Sequence, residues 1–168
     1  NNTMASNFLW YAGYTGNTGL TVAPVTLMSD IAALATGSTF TGAAAGTSGT
    51  FTNTFFGQAV WADLFLTTAT AGMGTIAAGG NFAGWFLPSY DGGTTFETYA
   101  ATTAPARAPD FLIPIPTYTT ITGGNSFKAS GLVRLPAGTF KVLVQNNTGV
   151  TSPTGSSTVK VAPYAMQY

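Results

Sequence analysis

Ala59-Val60-Trp61-Ala62-Asp63-Leu64-Phe65-Leu66-Thr67 places Val60, Ala62, Leu64 and Leu66 at every second position, with Trp61, Asp63, Phe65 and Thr67 between them. Successive side chains of a strand point to opposite faces, whereas a helix gathers its apolar residues every three or four positions. The stretch therefore reads as a strand with one wholly apolar face and one mixed face, which suits a central position in a sheet. Thr139-Phe140-Lys141-Val142-Leu143-Val144-Gln145-Asn146 repeats the pattern, with Phe140, Val142 and Val144 inward and Lys141, Leu143 and Gln145 outward. One buried and one solvated face is the habit of antiparallel sheets. Asn146-Asn147-Thr148-Gly149 supplies the turn that follows.

Working outward, strands are expected at Phe8 to Tyr11, Leu20 to Leu27, Phe51 to Phe56, Phe82 to Leu87, Thr94 to Tyr99, Phe111 to Ile115, Gly131 to Leu135 and Val159 to Tyr164. Turn chemistry separates them, notably Pro88-Ser89-Tyr90-Asp91-Gly92-Gly93, where an Asp-Gly pair favours positive φ, and Leu135-Pro136-Ala137-Gly138. Many short strands divided by such turns indicate an all-β fold, a sandwich or barrel of antiparallel strands. The length of 168 residues suits a single domain over 1–168, with 1–19 as an N-terminal arm. One short helix is expected at Ser29 to Thr36, with Ser29 as N-cap, Asp30 in the first turn and Gly37 as terminator. Thr36 to Thr50 is almost wholly Gly, Ala, Thr and Ser and reads as a long surface loop; Ala101 to Pro109, carrying Arg107, reads as a Pro/Ala-rich connector. Leu64 to Tyr90 is uncharged and long enough to span a bilayer, but its Gly, Thr and Asn content makes it strand, loop, strand, and no membrane association is expected. Asn1 to Ser6 has no basic region leading into an apolar run, so no signal peptide is expected there.

Charge narrows the function. Five basic and five acidic residues make up 6% of the chain, against about 25% in ordinary domains, and there is no His and no Cys. Thiolate metal sites, disulfides and redox chemistry are excluded, and with them the side chain most used for general acid–base work. Zero net charge with no cluster of Lys and Arg argues against nucleic acid. The carboxylates are Asp30, Asp63, Asp91, Glu97 and Asp110. Asp91 and Glu97 could meet across a hairpin as a glycosidase pair, yet an Asp-Gly-Gly turn favours Asp91 for backbone reasons alone. A lone Asp91 is likewise thin support for calcium, which takes several oxygen ligands. No cofactor is expected, and the chain reads as a non-enzyme. The Asn-x-Thr triplet at Asn146 fits a hairpin turn without glycosylation.

Among the aromatics, Trp61, Trp85 and Phe140 sit in strongly alternating strands and are expected to fill the core. Trp10, Tyr11, Tyr14 and Tyr168 near the termini, with Arg107, are candidate interface residues, because Tyr, Trp and Arg dominate contact energetics. Tyr90, Asp91 and Phe96 form a candidate ligand loop under a carbohydrate-binding reading.

Asn81-Phe82-Ala83-Gly84-Trp85-Phe86-Leu87-Pro88-Ser89-Tyr90-Asp91-Gly92-Gly93-Thr94-Thr95-Phe96, the run from Arg134 through Pro136-Ala137-Gly138 to Gly149, and Thr158-Val159-Lys160-Val161-Ala162-Pro163-Tyr164 occur in an order that resembles the jelly-roll decoration, or cement, proteins of tailed bacteriophage capsids. The resemblance covers about the last half of the chain and rests on turns and strands. It implies an antiparallel β-sandwich of jelly-roll type with about eight strands, and a structural virion protein on the outer capsid surface, assembled in the host cytoplasm, that bridges neighbouring major capsid proteins and forms a homo-oligomer, dimer or trimer. The competing expectations are a carbohydrate- or receptor-binding module and a pilus or tail subunit that polymerises through strand contacts. A chain so poor in charge lacks the Lys guards that normally keep sheet edges from pairing, so its edges and the Thr36 to Thr50 loop are expected to meet partners.

Overall fold

A computed structural model describes residues 9–11, 25–28, 31, 34–41, 50–53, 61–68, 73–97, 103–117, 124–152 and 157–166. In chain order its strands are β1 (Leu9–Tyr11), β2 (Val25–Met28), β3 (Thr39–Thr41), β4 (Thr50–Asn53), β5 (Trp61–Thr67), β6 (Asn81–Pro88), β7 (Phe111–Pro114), β8 (Ser126–Lys128), β9 (Val133–Arg134), β10 (Gly138–Asn147) and β11 (Thr158–Met166). They build two antiparallel sheets, one centred on β11 and β5 and the other on β10 and β6. Within Leu64 to Tyr90, the two expected strands are β5 and β6, and residues 69–72 between them lie outside the described residues.

The eleven strands occupy eight places, because three of the four sheet edges are made of two short strands set end to end. β1 and β2 line one edge of β11, at Tyr164–Met166 and Val159–Val161, while β5 lines the other. β8 and β9 share the far edge of β5, and β3 and β4 share one edge of β10. β6 fills the other edge of β10, and β7 closes that sheet. Counted along the chain, the first place pairs with the last, the second with the seventh, the third with the sixth and the fourth with the fifth. That nesting makes the described strands one long antiparallel hairpin folded over into two sheets.

The sandwich core follows from alternation. β5 buries Ala62, Leu64 and Leu66, β10 buries Phe140, Val142 and Val144, and both sets join one cluster with Phe82, Phe86, Phe111, Ile113, Val159 and Val161. Phe86 packs on Phe111 and Phe140 with ring centroids 5.4 and 5.3 Å apart, a spacing at which tilted and edge-on rings attract. Gly84 makes room for this: a Cβ there would lie 1.9 Å from the Phe111 ring.

The outer face of β6 is buried as well. Ala83, Trp85 and Leu87 form a second cluster with Leu143, and Ala104 from the chain before β7 packs on it. Residues 103–110 are thus a strap over the sheet. The Trp85 indole N–H donates to the Arg107 carbonyl at 3.1 Å, and the Asp110 N–H donates to the Gly84 carbonyl at 2.8 Å. Beyond Gly84, where β7 has ended, the Arg107 guanidinium donates to the Phe86 carbonyl at 2.7 Å and the Asp110 carboxylate accepts from the Phe86 N–H at 2.8 Å. The two side chains are joined by a 2.8 Å ion pair. Together they stand in for one rung of a missing strand.

At the other end of β10 a buried polar hub fixes the chain before β3. Asn146 is 0% exposed; its amide donates to the carbonyls of Leu34 (2.8 Å) and Val150 (2.7 Å) and accepts from the N–H (2.9 Å) and hydroxyl (2.7 Å) of Thr148. Ser152 bonds both ways to Leu34, its N–H to the carbonyl and its hydroxyl oxygen from the Leu34 N–H. With Nδ2 committed inside the fold, Asn146 is no glycosylation acceptor.

Four expectations are corrected. No helix occurs among the described residues: within Ser29 to Thr36, Ile31 donates its N–H to Ser157 and Leu34 is held by Ser152, so these backbone groups serve the neighbouring chain instead of a helical turn. Ser29 and Asp30 lie outside the described residues. Thr94 to Tyr99 is not a strand as far as Glu97, where description stops, because the Thr94 and Thr95 amides bond to the Asp91 side chain. Thr36 to Thr50 is not loop throughout, since Thr39–Thr41 pairs with β10. Finally, Trp61 is not core but 39% exposed, and Trp85, though buried, lies under the strap outside the sandwich.

Candidate functional site

Two exposed aromatic features stand out from this frame, and they lie on opposite sheets. The first is the loop after β6. Ser89 donates its N–H to Thr139 and its hydroxyl to Asp91 Oδ1 (2.6 Å), and its Oγ accepts from the Gly93 N–H (2.7 Å). Asp91 Oδ1 also accepts from the Thr94 and Thr95 amides at 3.0 and 2.9 Å, and Oδ2 accepts from the Thr95 hydroxyl at 2.6 Å. The bend that brings these groups together needs positive φ at Gly92 (77°) and Gly93 (101°), which glycine adopts without a Cβ clash. The Ser89 and Thr95 hydroxyls and the loop amides hold the Asp91 carboxyl well below the usual carboxylate range, against a small opposing effect of desolvation. On this fixed turn Tyr90 is 94% exposed. Six residues on, Phe96 is half-buried, with the Lys141 ammonium 4.5 Å from its ring centroid, a cation–π contact.

The second feature is the outer face of β5. Opposite residues of paired strands share a face, so register defines rows across the sheet. One row runs Tyr11, Tyr164, Trp61, Arg134 through β1, β11, β5 and β9. A second runs Thr26, Lys160, Phe65, Lys128 through β2, β11, β5 and β8. Asp63 lies between the rows and is ion-paired to Lys128. Among the described residues, three of the five basic residues of the chain therefore share this face with one acid.

The sequence-predicted residues are distributed accordingly. Tyr90, Asp91 and Phe96 belong to one loop, with Asp91 the organiser of the turn and Tyr90 its presented side chain. Tyr11 enters the Trp61 row by register, while Trp10 pairs with Ala165 at the alternate register. Tyr14 and Tyr168 lie outside the described residues. Arg107 is occupied with Asp110 and the Phe86 carbonyl, which gives it a fold-closing role within the chain. Trp61, Arg134, Lys128 and Lys160 were missed as a group; the signal was the mixed face of the first strand quoted above, which already set Trp61 beside Asp63 and Phe65.

As chemistry, the arrangement offers contact. An Asp91 held ionised is the opposite of what a general acid needs. Among the described residues no group of three or more acidic, His or Cys side chains is placed to hold a metal ion, and no helix is long and apolar enough to cross a membrane. No family model, no curated protein and no solved structure matches this chain.

Proposed function

We propose that this protein is a non-enzymatic structural subunit that acts through surface contact, serving as a jelly-roll decoration protein on the outside of an icosahedral phage capsid and bridging major capsid proteins as a homo-oligomer. The observation that carries the reading is Tyr90, 94% exposed on a turn whose geometry is already set by hydrogen bonds. Holding a large amphipathic ring in water on a rigid loop does nothing for the fold. It does lower the entropy lost when the ring meets a partner, and such pre-organised aromatics are the side chains that carry contact energy. The antiparallel sandwich supports the same reading, since it is the fold class that the sequence resemblance implies. Each copy would contribute a modest contact, and simultaneous engagement of several sites would supply avidity.

Co-sedimentation with capsids stripped of this chain tests the proposal. Saturable attachment at a fixed number of copies per shell, retained at moderate salt, is the expected result; absence of attachment at saturating protein overturns it. The exposed Tyr90, in the same loop as Phe96, also favours a second reading, a carbohydrate-binding module, for which selective retention on a glycan array is the corresponding result.

A further inference from the structure

We propose that the Tyr90 loop of one copy docks on the Trp61–Arg134 face of a second copy, so that the protein self-associates loop to sheet. The inference rests on the contact reading of Tyr90 and names its partner.

The argument begins with where so few charges fall. Lys128, Arg134 and Lys160 occupy outward positions on the β5 sheet, and among the described residues Asp63 is the only acid with them, an excess of two positive charges over that part of the face. Arg107 and Asp110 neutralise one another in the strap. The Tyr90 loop carries Asp91 and Glu97, both exposed, with Lys141 drawn onto Phe96. A neutral chain has thus become polar, with a cationic aromatic face on one sheet and an anionic aromatic loop on the other.

Elimination then selects the pairing. Face against face would set like positive charges together, and loop against loop would set carboxylates together; like-charge juxtaposition at an interface costs affinity. Loop on face sets opposites together. The local match is also two-membered: Tyr90 and its neighbour Asp91 present a ring and an anion, and Trp61 and its register partner Arg134 present a ring and a cation. Tyr, Trp and Arg are the residues that dominate interface energetics, and a guanidinium stacks on aromatic faces as well as pairing with acids.

One copy does not satisfy both halves itself, since Tyr90 is almost fully exposed and the outer face of β5 looks away from the β6 sheet. Both features nonetheless lie at the same end of the sandwich. Arg134 leads through Leu135–Ala137 into β10, whose Phe140 pairs with Pro88 at the root of the loop. A contact between two sites at one end of the molecule repeats by rotation, which favours a closed assembly about an axis near that end.

Sedimentation velocity over a concentration series, with circular dichroism to confirm folding, tests this with wild type, Tyr90→Ala, Trp61→Ala and Arg134→Glu. Wild type should self-associate, and each variant should associate at least about thirtyfold more weakly, the loss typical of a hot-spot residue. The deciding sample is an equimolar mixture of Tyr90→Ala and Arg134→Glu. The first keeps an intact face and the second an intact loop, so the mixture should associate more strongly than either variant alone. A wild type that stays monomeric throughout, variants that associate like wild type, or a mixture no stronger than its components overturns the inference. Capsid co-sedimentation is scored separately: a monomer that still decorates shells sinks only the loop-to-sheet contact, and an oligomer that ignores shells sinks only the capsid reading.

Discussion

Replacing Asn146 should expose how the two ends of the chain are stitched together. In Asn146→Ala the carbonyls of Leu34 and Val150 each lose one donor but keep another, the Ser152 N–H and the Thr148 hydroxyl respectively. The Thr148 N–H loses its acceptor altogether in a site closed to water. An orphaned buried N–H costs about 1–3 kcal/mol, and the lost bonds and small void bring the expected total to about 3 kcal/mol. With a urea m-value of about 1.5–2 kcal/mol/M for a chain of this size, the midpoint should fall by about 1.5–2 M. Asn146→Asp goes further at neutral pH. Its carboxylate still accepts from Thr148 but now faces the Leu34 and Val150 carbonyls at the 2.8 and 2.7 Å positions where an amide donated. A buried charge left without compensation costs about 3–5 kcal/mol, so this variant should be weaker than Ala. The folded site then favours the protonated acid and raises its pKa. Relative to wild type, the aspartate variant should be most stable below the unfolded-state pKa and lose stability as pH rises through the folded one. Urea melts of the three proteins at pH 4 and pH 7 provide the measurement. Equal midpoints for Asn146→Asp and wild type at pH 7, or a variant that gains on wild type as pH rises, would refute the account.

Other outcomes follow from neighbouring features. Asp110→Ala should cost about 2 kcal/mol, since it strips the Phe86 N–H of a charged acceptor, whereas Asp110→Asn keeps an acceptor and should cost under about 1 kcal/mol, the exposed ion pair itself adding little; thermal melts separate the two. Gly84→Ala should destabilise by more than about 2 kcal/mol through its clash with the Phe111 ring, and Phe111→Leu in the same chain should recover part of the loss. Amide exchange at Thr94 and Thr95 should stay slow as pH falls through the ordinary carboxylate range, because the depressed Asp91 pKa preserves its turn until the carboxyl is protonated at still lower pH; Asp91→Ala should remove that protection at every pH.

Alternation carried much of the fold. Trp61 to Thr67 and Phe140 to Asn146 declared their inward faces correctly, because period two is a local property of the backbone, while Val60 lies outside the described residues. What alternation cannot supply is what covers the other face. Leu143 was read as outward and does point away from the core, yet the strap buries it completely. Trp85 shares that fate, and Trp61 on the equivalent face of the opposite sheet receives no such cover, although both sit in comparably patterned strands. Thr39–Thr41 escaped notice because its pairing comes from β10 and not from its own Gly- and Thr-rich surroundings. Thr94 to Phe96 had strand composition, but an aspartate three residues earlier claimed its amides first. At the site, Tyr90 and Asp91 were legible as turn residues, while the grouping of Trp61 with Arg134 depends on a register between segments more than 70 positions apart in sequence.

The sheet edges, three divided into pieces of two to four residues and the fourth a single strand of four, bear on how this chain behaves at high concentration. Steric-zipper stacking takes segments of about six or seven residues, and no edge strand among those described offers an uninterrupted template of that length. Colloidal stability would then come from shape, with repulsion between net charges playing little part. Solubility set in this way should change little across pH or ionic strength, and copies could be crowded on a surface without the mutual repulsion that limits how densely charged proteins pack.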